Sequence, residues 1–308
     1  MNFYTKSLFL SFLFTVFAGL YLPSHSQSQY IKILGIAQDG GIPHIGCKTA
    51  CCDSKKPNEK VVCLGLIDNH HQKKYLFEAT PDLSAQITQL NEALPSATLC
   101  DGIFITHAHM GHYTGLMYLG REALGAKNMP VYLMPKMKEF IEANGPWSQL
   151  VALKNINIKS LFNETAVVLT NQLTVTPFLV PHRDEFSETV GYKIQGPNKS
   201  ALFIPDINKW SLWRKDLVDE VKKVDYAFVD GTFASASEIN RPIEDIPHPL
   251  VSETVQLFSK APQSEKSKVI FIHFNHTNAM IDKFNNERLS LEKLGFRFAK
   301  ENDMFDLN

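Results

Sequence analysis

An excess of charge of one sign is missing from this chain of 308 residues: 31 lysines and arginines stand against 32 aspartates and glutamates, for a formal net charge of −1. No basic run stands out either. These two absences remove the electrostatic footprint of a nucleic-acid or membrane-surface partner and leave a small molecule as the expected one. Repeats, low-complexity tracts and long Gly/Ser/Pro linkers are also absent, which excludes a solenoid or a string of domains and makes one compact domain the default. Cysteine is scarce and odd in number, at five, so a dense disulfide framework is excluded. Beyond Leu22 no apolar run is long enough to cross a bilayer. Nothing in the pattern indicates an oligomeric state.

The one long apolar run lies at the start. Ser7–Leu22 follows a lysine at position 6 and leads to small residues, Ser24 and Ser26, at the −3 and −1 positions of a cut after Ser26. That order reads as a signal peptide over residues 1–26. An uncleaved anchor is the competing reading, since sixteen residues come near the about 20 that span a bilayer. With no cysteine near the cut, a lipid anchor is not expected. The expectation is an exported protein, periplasmic or secreted, with no stable membrane anchor after cleavage and a single domain over 27–308.

Cys47, Cys51 and Cys52 cluster in one segment, while Cys63 and Cys100 flank apolar runs and are expected in the core. An exported protein can close a disulfide in the cluster. Thiolates can instead hold a structural zinc, in which case three cysteines need a helper such as His44. Free thiols are the third option.

Short apolar runs rich in β-branched residues recur at Tyr30–Ala37, Val61–Ile67, Tyr75–Glu78, Gly102–Thr106, Leu173–Leu179, Val190–Ile194, Ala201–Ile204, Tyr226–Val229 and Val269–Ile272. Helical periodicity marks Pro81–Leu94, Thr114–Leu124, Pro135–Asn144, Leu212–Lys222, Pro249–Lys260 and Asn278–Leu294. Strands dominate early and alternate with helices later, which predicts two sheets with helices packed outside, an α/β or α+β sandwich.

The run Gly102–Thr106 leads directly into His107, His109 and His112. At a strand end the first two point the same way, because side chains alternate with period two, and His112 can reach back from the turn. A single histidine is commonly a satisfied core residue. Three in six positions at a strand–helix junction instead make a corner for a borderline-soft cation. His182, Asp206 and His273 each follow another apolar run, as ligands on a sheet edge must.

At these residues the chain resembles the metallo-β-lactamase superfamily, whose motif is His-x-His-x-Asp-His, and within it the pyrroloquinoline quinone biosynthesis protein B group. The shared stretches are Leu34-Gly35-x-Ala37-x-Asp39-Gly40-Gly41-x-Pro43, Thr106-His107-Ala108-His109-x-x-His112-x-Thr114-Gly115-Leu116, Pro181-His182-Arg183-Asp184, Val229-Asp230-Gly231-Thr232-Phe233 and Ile272-His273-x-Asn275-x-Thr277-Asn278. The resemblance implies an αββα sandwich of two mixed β-sheets with helices on the outer faces. It also implies a first metal on His107, His109 and His182, Asp206 as a bridge, and a second metal on His112 and His273. A metal-activated water would act as nucleophile. By likeness to the ribonuclease Z branch, His248 becomes a proton donor or charge stabiliser, or else merely caps the helix after it. Asp230 becomes a residue that orients His248 or the water, or else a solvated turn aspartate.

The departure lies at Gly111, where the motif has aspartate. Losing that carboxylate should weaken the second position. The expectation is one tightly held zinc, with iron or manganese as substitutes, and a weak or empty second site unless Asp230, His276 or a substrate oxygen supplies a ligand. Gly111→Asp is then expected to raise metal content. Three functions follow: a hydrolase of a small-molecule ester, phosphodiester or amide; an iron-dependent oxidation or hydroxylation of the quinone-biosynthesis type; and a non-catalytic metal-binding protein.

Overall fold

The computed structural model describes residues 28–53, 58–238, 242 and 246–308; the signal-peptide reading lies outside them. Strands β1 (Gln29–Gly35), β2 (Cys63–Asp68), β3 (Lys73–Phe77), β4 (Gly102–Phe104), β5 (Met129–Leu133) and β6 (Ile156–Ser160) build one sheet. The second holds β7 (Val167–Val168), β8 (Thr174–Leu179), β9 (Val190–Gln195), β10 (Ser200–Ile204), β11 (Tyr226–Asp230), β12 (Val269–Ile272) and β13 (Arg297–Phe298). A last strand, β14 (Met304–Asp306), returns to the first sheet beside β1 and brings it to seven strands as well.

Alternation explains the layering. In β1, Ile31 and Ile33 enter the core shared by the two sheets, while Tyr30 and Leu34 turn outward under the helix Leu83–Ala93. β3 repeats this with Tyr75 and Phe77 inward and Leu76 outward. Both faces of the first sheet are therefore covered, which is why these strands read as continuous apolar runs rather than as alternating ones. The αββα architecture expected from the resemblance is the one observed.

Strand direction fixes the position of the site. β1 is antiparallel to β2 and β2 to β3, and β3 is parallel to β4, so β1 and β4 run the same way. By the same logic β8, β10, β11 and β12 share one direction. The segments leaving β1, β4, β8, β10, β11 and β12 emerge at one edge, where backbone bonds from Val190 to Thr106 and from Gln38 to Phe274 join the two sheets.

One expected helix is replaced. Instead of Thr114–Leu124 there is a single α-turn, Met110–Tyr113, followed by 3-10 helix over Thr114–Leu119. The chain is pressed onto β3's exit: Gly115 donates its N–H to Ala79, and a Cβ at Gly115 would lie 2.0 Å from the Thr80 carbonyl oxygen.

Phe104 pins β4 across the inter-sheet core. Its ring stacks on Phe77 at 5.0 Å and on Tyr132 at 4.2 Å and meets Tyr192 edge-on at 5.6 Å. Phe104→Ala should cost about 3–5 kcal/mol in denaturant unfolding; a loss below about 1 kcal/mol would show that β4 is anchored elsewhere.

Candidate metal centre

The strands of the common edge deliver polar groups to it. His107 and His109 follow β4, His182 follows β8, Asp206 follows β10, and their ligand atoms converge. His107 Nε2 lies 2.8 Å from His109 Nδ1, and His182 Nε2 lies 3.3 Å from it. Asp206 Oδ2 is 3.4, 3.9 and 3.2 Å from the His107, His109 and His182 nitrogens. A tetrahedral zinc with bonds of 2.0–2.1 Å has ligand–ligand edges of about 3.3 Å, so the spacing fits such an ion.

The far side of each ring strengthens that fit. His107 Nδ1 is 2.9 Å from Thr106 Oγ1, which itself donates to Glu78 and so accepts from the ring. His182 Nδ1 pairs with Asn208 Oδ1 at 3.2 Å, and His273 Nδ1 with Thr232 Oγ1 at 2.9 Å, a hydroxyl committed as donor to Asp230. His112 Nδ1 meets Glu78 Oε1 at 3.1 Å, and His109 Nε2 meets Glu185 at 3.0 Å. Such outer partners fix the tautomer and leave the other nitrogen's lone pair for a cation. Lone pairs converging at 2.8 Å require a proton or a cation between them. Burial keeps His107 and His273 neutral, the latter pushed down to about 4.

His112 and His273 form a second group, as the resemblance implied, and a third member joins them: Asp39, from the segment after β1. The Asp39 carboxylate occupies the space beside Gly111, where an added Cβ would fall 2.3 Å from Oδ1 and 2.6 Å from Asp39 Cα. A carboxylate therefore stands beside His112 and His273 although position 111 carries none, and an aspartate at 111 would meet Asp39. Spacing within one motif could not reveal Asp39. The signal present was an acid shortly after an apolar strand, the pattern that marked Asp206, followed here by Gly40-Gly41.

Asp230 is fully buried at the end of β11, so the solvated-turn reading fails. It accepts from Thr232 N–H and hydroxyl and from Ile207 N–H, and it lies 2.9 Å from His248 Nδ1. His248 also sits 3.2 Å from Asp206 Oδ1. Burial alone would lower the His248 pKa, but the charges of Asp230 and Asp206 outweigh it and raise the value to about 10. Asp230 thus holds the His248 ring, and its carboxylate also lies within 4.8 Å of ligand atoms of Asp206, His248 and His273.

The cysteine cluster is assembled differently from expectation. Cys47, Cys51 and Cys52 are all free thiols, and the fourth group within reach is His276, from the loop after β12, rather than His44. His44 instead stacks on the His276 ring at 4.4 Å, and its Nδ1 bonds the Ile45 carbonyl. The Sγ separations, 3.7 Å for Cys47–Cys51 and 3.9 Å for Cys51–Cys52, match the about 3.8 Å edge of a tetrahedron with Zn–S bonds of 2.3 Å. Cys63 and Cys100 are buried in the core as expected.

Two seven-stranded sheets bearing histidines and carboxylates on one common edge define a protein built around a metal centre. Residues 73–274 match the family model described as the beta-lactamase superfamily domain, and the chain belongs to that superfamily. Among curated relatives, the coenzyme PQQ synthesis protein B of Acinetobacter baylyi is 23% identical over 300 residues, covering 86% of this chain and 95% of its own. Among solved structures, Zn(2+)-bound PqqB from Methylobacterium extorquens superposes with a TM-score of 0.74 at 20% identity, covering 90% of this chain and 100% of that one. A diphosphatase of the PhnP family gives 0.64 at 21% identity, covering 90% and 96%.

The His248 pKa sets a stability prediction for metal-free protein. The folded value, about 10, exceeds the ordinary 6.5, so the stabilisation is complete below pH 6.5 and is lost as pH rises through about 10. Urea midpoints in chelator should fall across that window, and His248→Gln should flatten the fall. An unchanged slope in the variant would assign the effect to other groups.

Proposed function

We propose that this protein is a metal-dependent hydrolase of a small-molecule ester, phosphodiester or amide. The observation that carries the reading is the buried pair of His248 and Asp230 beside the histidine–carboxylate cluster. A divalent cation bound there supplies Lewis acidity and a water acidified toward neutral pH. The chain supplies the rest. Asp206 and Asp230 both attract the Nδ1 proton of His248 and keep the ring cationic, and no hydrogen bond engages its Nε2 among the described residues. A held imidazolium at that place can donate a proton to a departing alkoxide or amine, or balance charge gathering on the group under attack. Thr232 fixes the Asp230 carboxylate through its N–H and hydroxyl, so the acid is oriented before a substrate arrives. His107, His112, His182 and Asp206 are buried, which keeps bulk water from screening these charges.

The second reading is an oxidation of the quinone-biosynthesis type with iron, favoured by the curated relatives named coenzyme PQQ synthesis protein B. The hydrolytic reading rests on a proton donor that such an oxidation does not obviously require. The export expected from residues 1–26 also supports hydrolysis, because a cofactor pathway is expected to run inside the cell. Metal-loaded protein should turn over members of a panel of model esters, phosphodiesters and lactams. His248→Ala should lower kcat by about 10²–10⁴-fold while metal content is kept. No turnover on the panel, together with product formation that needs iron, oxygen and a reductant, would replace this reading with the second.

The cysteine cluster fits a separate structural zinc on Cys47, Cys51, Cys52 and His276. Hydrogen bonds with Cys52 and Thr49 pull the Cys47 thiol down to about 7, toward the thiolate a metal requires, while burial and the bond with Cys47 push the Cys52 thiol up to about 11 in the absence of a cation. Such an ion would tie the segment after β1 to the loop after β12. Cys51→Ser should remove one zinc per chain and lower the melting temperature, leaving the histidine centre loaded; an unchanged zinc count and melting temperature would return the cluster to free thiols.

A further inference from the structure

Four buried polar atoms at the centre have no hydrogen-bond partner among the described residues: Asp39 Oδ1, His112 Nε2, His273 Nε2 and Asp206 Oδ1. Orphaned polar atoms are rare in folded interiors, and each costs free energy comparable to a lost hydrogen bond. Four at one place indicate a common missing partner. Three of them are the ligand atoms of the group Asp39, His112 and His273, all within 4.8 Å of one another. The fourth belongs to the carboxylate whose other oxygen already faces the first group of histidines. His112 Nε2 and Asp39 Oδ1 lie 3.3 Å apart without hydrogen-bond geometry, a separation equal to the edge of a cation's coordination shell.

Asp39 reaches this position because β1 runs parallel to β4, so the segment after β1 leaves the sheet on the edge that carries His112. Backbone bonds then hold it there. Gln38 N–H donates to the Phe274 carbonyl, and Phe274 N–H donates to Ile36, stitching the Asp39 segment to the residue next to His273. Gly41, at φ +66, closes the turn immediately after. On the other side, Gly111 leaves the space that Asp39 fills. A side chain at position 111 would thus collide with the Asp39 segment, with its backbone Cα as well as its carboxylate.

We propose that Asp39 is the relocated carboxylate ligand of a second divalent cation, held with His112, His273 and the second oxygen of Asp206. The proposal deepens the reading of this edge as a hydrolytic metal centre, giving it two cations rather than one, and it rests on that reading. It adds a negatively charged oxygen, which a divalent ion at a histidine pair needs if it is to be held tightly. With both positions filled, all four orphaned atoms acquire a partner, and Asp206 bridges the pair through its two oxygens.

The test reads metal positions rather than turnover, so it stands whether or not a substrate is found. Crystals of zinc-loaded protein, with anomalous diffraction collected at the zinc edge, should show two peaks between the histidines. Asp39→Asn should keep the peak at His107, His109 and His182 and lose the one at His112 and His273. Titration should show the second zinc weakened by more than about 100-fold, since outer partners of a ligand alone are worth 10–100-fold. Asp39→Glu, which keeps a carboxylate on the same segment, should retain two peaks. Gly111→Asp alone should not add metal, because its Cβ meets Asp39. A single peak in the unaltered protein, or two peaks in Asp39→Asn, would overturn the proposal. If Asp39→Asn empties both positions, Asp39→Glu decides: two peaks support the carboxylate ligand and fewer overturn it.

Discussion

The carboxylate of Asp206 is 2% exposed, and its negative charge must be met by the protein or by what the protein binds, since water cannot reach it. One oxygen lies within 3.2–3.9 Å of His107, His109, His112 and His182, and the other lies 3.2 Å from His248. Rings from both sheets therefore converge on one side chain at the end of β10. Removing that charge would leave buried imidazoles facing one another with nothing to order them. The hydroxyl relays behind the rings make sense only in this setting: Thr106 and Thr232 each pass their proton to a buried acid, Glu78 or Asp230, and so present an acceptor to a histidine. Ring orientation is thus decided two residues away from the charge it serves.

Such an edge is costly to assemble. Glu78 and His273 both take positive φ, +83 and +66, in a region that residues with a side chain avoid, at about 1–3 kcal/mol each. Both are fully buried. The apolar layers on both faces of the first sheet and between the sheets offset this strain, and they do so close to the site. Phe77 precedes Glu78, Phe104 comes just before the histidines, and Phe271 lies on the strand that ends beside His273. The strands that carry ligands also carry the aromatic core.

Much of this was legible in the sequence because burial and chemistry use the same signal. A strand covered on both faces is a continuous apolar run, and a polar residue where the run stops is a side chain delivered to the edge; that pattern marked His107, Asp206 and His273. Strands β5 and β6 escaped notice because Met129–Leu133 contains a proline and Ile156–Ser160 alternates with lysine and asparagine, so neither reads as a buried run. The helix expected over Thr114–Leu124 had the right apolar spacing, but close contact with the β3 exit selects the tighter 3-10 winding there. The placing of Asp39 beside His112 and His273, and of His276 beside the cysteines, was illegible for a different reason. Each meets its partners across the two sheets, and pairing between the segments after β1 and β12 is a property of topology that no local spacing records.

The space between Gly111 and Asp39 has a historical consequence. Any side chain at position 111 meets the Cα of residue 39 as well as its carboxylate, so a residue other than glycine there requires the segment after β1 to take another path. A change at Gly111 alone meets an occupied volume, and a change at Asp39 alone removes the carboxylate that stands beside His112. The path of the segment after β1 thus holds position 111 to glycine, a steric constraint between segments more than 70 positions apart. Lineages in which a ligand has moved in this way would look defective to any census of the contiguous motif while keeping the same atoms around the same point in space.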